Sequence, residues 1–422
     1  MSAKSVLKEV DFSPAKDDLR KLNIESREIM DSIRNEIKKK EIDADVFLGG
    51  SLAKGTIVKK DDYDVDIFAR FDWEIDRISE LLGKILKSAF RKKFRIEKLH
   101  GSRDYFRIKK GKVIFEIIPV ARIKQPRAAR NVTDLSYFHV NYVRKKVCGT
   151  NLAREIVLAK AFMKANEVYG AESYINGFSG YAVECLIIYY RTLENLLKQL
   201  AKAKERIVID SEKLYKNRNE ILLELNESKT RGPIVLVDPT WKERNVLAAL
   251  NQETFEKFQK AAKEFLRKPS RKAFEDICVN ESMMKEIARR KKAEFLHIKL
   301  STDRQEGDIA GTKMKKFARF LSGEISRYFG ILDEKFEYHD KKDADFYMIL
   351  KSKGEILRIG PPAGLENAAK KFKKKNKNVF VKNGIWYSRI KIGFSAKKFV
   401  GNFARREKER LREMGISGLK IV

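Results

Sequence analysis

The chain has 422 residues, 43% of them hydrophobic, and sets 91 Lys and Arg against 59 Asp and Glu, for a formal net charge of +32. At about 150 residues per domain this length predicts two or three domains, and the apolar content excludes a disordered tail. The positive surplus is spread along the chain and points to a polyanionic partner, nucleic acid ahead of a membrane surface, since no apolar run approaches the roughly 20 residues of a spanning helix.

The opening "MSAKSVLKEVDF" has no apolar stretch of signal-peptide length, so a cytoplasmic protein is expected. From Leu19 to Lys40, the apolar residues Leu22, Ile24, Ile29, Ile33 and Ile37 predict an amphipathic helix. A short strand, Val46 to Leu48, follows. "DVDIFARF" reads as a second strand, Ile78 to Phe90 as a helix, and "DYFRIKKGKVIFEIIPV" as a hairpin turning at Lys109 to Lys112. Strands interleaved with helices make residues 1–138 a small α/β or α+β domain. Residues 139–268 read as mainly helical. "NLAREIVLAKAFMKANEVYG" stops at Gly170, and "FSGYAVECLIIYYRTLENLL" starts from a Ser179 cap. The strand-like "PIVLVDPT" interrupts the block, and "QETFEKFQKAAKEFLRK" closes it before Pro269. Residues 269–422 predict a helix near Lys313 to Tyr328, then the alternating stretches "KFEYH", "DFYMILKS", "EILRIG" and "IWYSRIKI" of an antiparallel sheet. The whole is an α+β multidomain chain. Cys148, Cys185 and Cys278 lie far apart in apolar contexts, the pattern of buried free thiols rather than of a disulfide or zinc site.

The segment "DVFLGGSLAKGTIVKKDDYDVDIF" carries the chemistry. In a strand, Asp64 and Asp66 project from one face and Val65 and Ile67 from the other. Parallel carboxylates repel and are costly to bury unpaired, so a cation belongs between them. Hard oxygen ligands on a rigid strand suit Mg²⁺, which completes its octahedron with phosphate oxygens and water. Gly49-Gly50-Ser51 supplies the phosphate half of such a site. Glycine permits a sharp turn and close approach, "SLAKGT" reads as a helix start whose free N–H groups favour phosphate, and Ser51 and Lys54 offer a hydroxyl and a cation.

A hydrophobic-Gly-Gly-Ser turn, a spacer of twelve residues and Asp-hydrophobic-Asp-hydrophobic resemble the signature of the polymerase β-like nucleotidyltransferases. That resemblance implies a palm fold, two metals and three carboxylates. The third is Glu116 in "VIFEIIPV", an acid inside an apolar strand, where the family usually has Asp. "GGSLAKGT", "LAKAFMKANEVYGAE", "NGFSGY", "DPTWKERNVLAAL" and "RIGPPA", in this order, resemble the archaeal class of tRNA CCA-adding enzymes over nearly the whole chain. No Glu-Asp-x-x-Arg element of the bacterial and eukaryotic class occurs.

Lys160 falls at helical spacing from Leu152, Ile156 and Met163, which places an ammonium on an apolar stripe in need of an anion; nucleotide phosphate would serve. The resemblance implies triphosphate binding by Lys160, Tyr169 and His139, and selection of C or A by Arg244, whose guanidinium fork can donate two hydrogen bonds to a base edge. Gly360-Pro361-Pro362 reads as a rigid turn. Beyond it Lys371, Lys373, Lys374 and Lys375 are candidate contacts to tRNA phosphates; the His that the family often carries after this turn is absent.

The resemblance thus implies a template-independent nucleotidyltransferase that adds CCA to tRNA 3′ ends from CTP and ATP. Residues 1–138 would be its catalytic head, 139–268 would complete the nucleotide site, and 269–422 would bind tRNA. The sequence leaves open whether it forms a homodimer. Two other readings stand beside it: a related enzyme that makes poly(A) or oligoadenylate or modifies a small molecule with the same carboxylates, and a non-catalytic RNA-binding protein with a degenerate site.

Overall fold

The computed structural model describes residues 2–91, 93–275, 281–339 and 341–422; Cys278, expected to be a buried thiol, lies outside them. The chain forms two compact units, Met1–Ala171 with Ile175–Ile277, and Glu172–Tyr174 with Cys278–Val422.

In the first unit a long helix, Lys16–Lys39, buries Leu22, Ile29, Ile33 and Ile37, whereas Ile24 is 48% exposed and lies off the predicted stripe. A five-stranded sheet follows, made of β1 (Ala44–Leu48), β2 (Tyr63–Phe71), β3 (Ile96–Leu99), β4 (Tyr105–Lys110) and β5 (Val113–Ala121), in the order β1-β2-β5-β4-β3. The predicted hairpin is β4–β5, with Lys110 opposite Val113 and Gly111 at φ +61° in the turn. One sheet face is apolar. Val65, Ile67, Phe115 and Ile117 are fully buried there with Leu82, Ile85 and Leu86 of the helix Ile78–Phe90 and with the long first helix. Each such side chain contributes about 1.5–3 kcal/mol, enough to fix the register and thereby hold the alternate residues, Asp64, Asp66 and Glu116, on the opposite face.

The rest of this unit packs the helices Leu152–Ala165, Gly180–Tyr190, Leu193–Lys202 and Gln252–Arg267 around Phe162, Phe178, Phe258 and Phe265. Ser179 caps the second of them, accepting from the Ala182 N–H at 3.2 Å. This block is less purely helical than expected. "PIVLVDPT" becomes β7 (Ile234–Asp238), the centre of a three-stranded sheet between β6 (Ile207–Ile209) and β8 (Trp241–Asn245); strands this short carry little periodicity.

The second unit holds two antiparallel sheets instead of the single one expected. The first, in the order β10-β11-β9-β15, joins β9 (Glu294–Ser301), β10 (Phe329–Tyr338), β11 (Asp343–Ser352) and β15 (Gly418–Ile421). It packs Leu296, Ile298, Phe346 and Met348 against Met314, Phe317 and Leu321 of the helix Asp308–Ser326. The second, in the order β12-β14-β13, joins β12 (Glu355–Pro362), β13 (Val379–Lys382) and β14 (Ile385–Lys391). Gly360-Pro361-Pro362 is not a free turn: it continues β12 as an edge strand, with a register shift between Ile359 and Pro362 where proline is tolerated. The Lys run lies on the helix Glu366–Lys375; Lys371, Lys373, Lys374 and Lys375 are all exposed, and the Lys373 ammonium stands 4.0 Å from the centre of the Trp386 ring.

Cys148 and Cys185 are free thiols; Cys185 is buried, whereas Cys148 is exposed, contrary to its apolar sequence context. Among the described residues no helix is long and apolar enough to cross a membrane.

Candidate active site

The turn after β1 enters a helix of five residues, Gly50–Lys54, as "SLAKGT" suggested, and two close approaches require its glycines. The Gly49 N–H donates to the Asp66 carbonyl at 2.8 Å, and a Cβ on Gly49 would stand 2.2 Å from the Phe68 ring. Gly50 sits at φ +57°, and a Cβ there would lie 1.7 Å from Asp66 Oδ2. The turn is therefore pressed against a carboxylate of β2.

β2 and β5 run parallel with Asp66 directly across from Glu116. Burial first, and then the Glu116 charge, push the Asp66 pKa up to about 6 against the opposing pull of Lys54. Asp64 is half-exposed and accepts from Lys60 Nζ at 2.7 Å. Glu116 accepts from Arg107 Nη2 at 2.8 Å, Arg107 being its cross-strand neighbour on β4. With Asp64 and Glu116 turned onto these cations, no group of three His, Cys, Asp or Glu side chains stands in a metal-holding arrangement among the described residues. The donor chemistry still fits a hard divalent cation. Asp66 is a partly buried carboxylate that lines the cavity, and Lys60 and Arg107 are partly exposed, so their ion pairs can open at small cost.

A cavity of about 130 Å³ brings together Ser51, Asp64, Asp66, Lys160 and Tyr169 with Lys60 and Lys164. Lys160 is buried as expected, yet its anion is supplied from within the protein. It donates to Glu184 Oε1 at 2.7 Å and to Thr56 Oγ1 at 3.0 Å. Lys54 donates to the other oxygen, Glu184 Oε2, at 2.6 Å. His139 and Arg244 belong to a second cluster around the buried Asp238. Asp238 Oδ2 lies 3.1 Å from His139 Nε2 and accepts from Arg244 Nη1 at 2.7 Å; Oδ1 accepts from Tyr181 Oη at 3.1 Å and Thr240 Oγ1 at 2.8 Å. Burial alone would raise the pKa of Asp238, but His139 and Arg244 hold it well below the carboxylate range. Burial also lowers the His139 pKa, against the pull of Asp238. Tyr181 links the clusters: His139 stacks on its ring at 3.9 Å, and Lys54 Nζ stands 6.0 Å from the ring centre. Lys371, Lys373, Lys374 and Lys375 belong to the other unit.

Residues 30–134 match the family profile described as a nucleotidyltransferase domain, and residues 154–275 match that of the tRNA nucleotidyltransferase second domain. A CCA-adding enzyme of Nanoarchaeum equitans is 33% identical over 388 residues, which cover 91% of this chain and 92% of that protein. The chain belongs to the archaeal class of CCA-adding enzymes. The CCA-adding enzyme of Methanocaldococcus jannaschii is 28% identical, over 91% of this chain and 86% of its own. Among solved structures, the Cid1 poly(U) polymerase superposes with a TM-score of 0.49 at 14% identity, covering 65% of this chain and 97% of that one. The family profiles and the CCA-adding relatives make the protein a nucleotidyltransferase of α+β fold, and enzymes of this family generally use divalent metal ions.

Glu184, Asp238, Tyr181, Lys60 and Arg107 were not among the residues expected at the site. Glu184 left one signal, a lone acid in the apolar helical run "GYAVECLIIYY", where burial demands a cation. Asp238 and Tyr181 lay inside segments that carried the family resemblance, with nothing local to show that they meet.

Proposed function

We propose that this enzyme adds C, C and A in turn to the 3′ ends of tRNA, consuming CTP and ATP and releasing pyrophosphate without a nucleic-acid template. The carrying observation is Asp66, aligned with Glu116 on parallel strands and pressed against a glycine turn, lining a cavity together with Lys160 of a central helix and Tyr169. Residues 1–138 serve as the catalytic head, 139–268 complete the nucleotide site, and 269–422 bind tRNA. Asp64, Asp66 and Glu116 would hold Mg²⁺, which when bound supplies charge neutralisation at the attacking and leaving oxygens. The chain's own residues do the positioning. Ser51 and the Gly50 turn approach the phosphates, Lys54, Lys160, Tyr169 and His139 surround them, and Arg244 faces the base. Catalysis is mostly orientation and electrostatics, so no covalent enzyme intermediate is required.

The test is incorporation of labelled CTP and ATP into tRNA lacking its 3′ end, with and without Mg²⁺. Two C and one A in that order support the reading. Long poly(A) products, transfer to a small molecule, or no incorporation at all would replace it with one of the alternatives.

Arg244 has one nitrogen committed to Asp238, which aims its fork. Arg244→Ala is therefore expected to shift the preference among the four NTPs by about 10- to 100-fold while the metal dependence stays as it was. An unchanged preference in four-way competition removes Arg244 from base selection.

Changing Lys371, Lys373, Lys374 and Lys375 together to Gln should weaken tRNA binding and flatten the dependence of log affinity on log salt, by roughly 0.7 to 0.9 for each phosphate that is no longer neutralised. CTP affinity is the control and should stay constant. Parallel salt slopes for mutant and wild type would make the run a solvated face.

A further inference from the structure

Glu184 sits in the helix Gly180–Tyr190, fully buried, and its hydrogen-bond partners are Lys54, Thr56 and Lys160. Its Oε2 accepts from Lys54 at 2.6 Å. Its Oε1 accepts from Lys160 at 2.7 Å and from the Thr56 hydroxyl at 2.7 Å. Lys160 also donates to the Thr56 carbonyl at 3.2 Å and the Thr56 Oγ1 at 3.0 Å. Its three N–H donors thus meet three acceptors, and the ammonium is locked in one place.

We propose that Glu184 is a positioning residue for the nucleotide: one buried carboxylate that fixes the ammonium groups of Lys54 and Lys160 and ties the phosphate turn to the central helices. The proposal rests on reading the cavity as a triphosphate site. Lys54 ends the short helix that follows Gly49, Thr56 comes two residues later, and Lys160 lies on Leu152–Ala165. A single side chain therefore holds both walls of the cavity in which Ser51, Asp64 and Asp66 stand.

The charge arithmetic gives the arrangement its purpose. Within the triad two ammoniums face one carboxylate, and the positive charge left over is shared with Asp66 across a cavity that Lys160 itself lines. A simple buried ion pair would be neutral, and a well-packed apolar pair of similar volume would often be at least as stable. A triad with surplus positive charge is worth keeping where an anion is to be received. Burial lowers the pKa of the Lys160 ammonium, and the Glu184 charge pulls against that shift. Remove it, and Lys160 loses its hydrogen-bonded counter-charge.

The experiment compares wild type with Glu184→Gln in the full-length chain. It measures KM and kcat for CTP and ATP on truncated tRNA, CTP binding without tRNA, and tRNA affinity. Expected is a rise in KM and in the CTP dissociation constant of about 10- to 100-fold, by the same factor for CTP and ATP, since both present the same triphosphate. kcat should change less, and C-then-A order and tRNA affinity should not change. In a Lys160→Met background the same substitution should add little, because the group it positions is gone.

A loss of thermal stability with KM unchanged, or effects that simply add in the double variant, would make Glu184 a structural ion partner and overturn the proposal. If the Gln variant does not fold, Glu184→Asp carries the test: one methylene shorter, it keeps the charge but cannot span both lysines, and normal KM values for it would overturn the proposal equally. Failure of the wild type to bind CTP would remove the triphosphate reading itself, a result separable from the behaviour of the variants.

Discussion

Asp66→Ala is expected to lower nucleotide incorporation by several orders of magnitude while tRNA affinity stays within a few-fold of wild type, and Asp64→Ala to do the same. No other side chain can replace Asp66: it lines the cavity, it abuts the glycine turn, and it stands in register with Glu116. On the proposed roles, these substitutions remove a metal ligand and leave the RNA surface untouched, so kcat should fall and tRNA binding should not. Single-turnover incorporation beside a filter-binding assay measures both, and activity near wild type would displace the site. The pH dependence has a defined sign. With its pKa raised to about 6, Asp66 is protonated below that value and must lose its proton to take a cation. Activity at limiting metal should therefore fall as pH drops through about 6, and added metal should push that acid limb lower, because proton and cation compete for one carboxylate.

Gly50→Ala should be nearly as damaging. Its backbone lies at φ +57°, a region that strains any L side chain, and the added methyl would overlap Asp66 Oδ2 at 1.7 Å. Either the turn moves away from β2 or the carboxylate swings out of line. Incorporation should drop at least about a hundredfold, since misplacement by an ångström already costs that much. Circular dichroism should remain native, as Gly50 contributes nothing to either large core. Alanine is small and the position lies at the surface of the sheet, so retained activity would mean that the turn does not have to touch the carboxylate.

How much of this was legible in the sequence depends on how local each signal is. Asp64 and Asp66 stood out because strand alternation and a glycine turn lie within one short stretch. Glu116 stood out as an acid among Ile and Phe. The pairing of Asp66 with Glu116 belongs to a parallel register across a long connection, which no window of sequence displays. The burial of Lys160 followed from its helical stripe, but its partner is 24 residues away on another helix, so the stripe alone could not name the anion. Cys148 looked buried from its neighbours and is exposed because it caps the end of a helix. In the second unit the alternation of β10, β11, β12 and β14 was visible strand by strand, whereas β9, β13 and β15 were not singled out. The division into two sheets was not visible either, because alternation reports a strand's two faces and says nothing about which strand lies beside it.

The parallel register of β2 and β5 also determines which changes of length this protein can tolerate over evolutionary time. One residue inserted within either strand would rotate every following side chain by half a turn, sending an acid into the apolar face and an isoleucine toward the cavity. The damage would come from phase, with the composition of the strand unaltered. Residues gained or lost at Lys59 to Asp62, or at Gly101 to Arg103, fall between strands and leave that phase intact. Length variation among functional descendants of this chain should therefore collect at those two places and be missing from Asp64 to Phe68 and from Phe115 to Ile118.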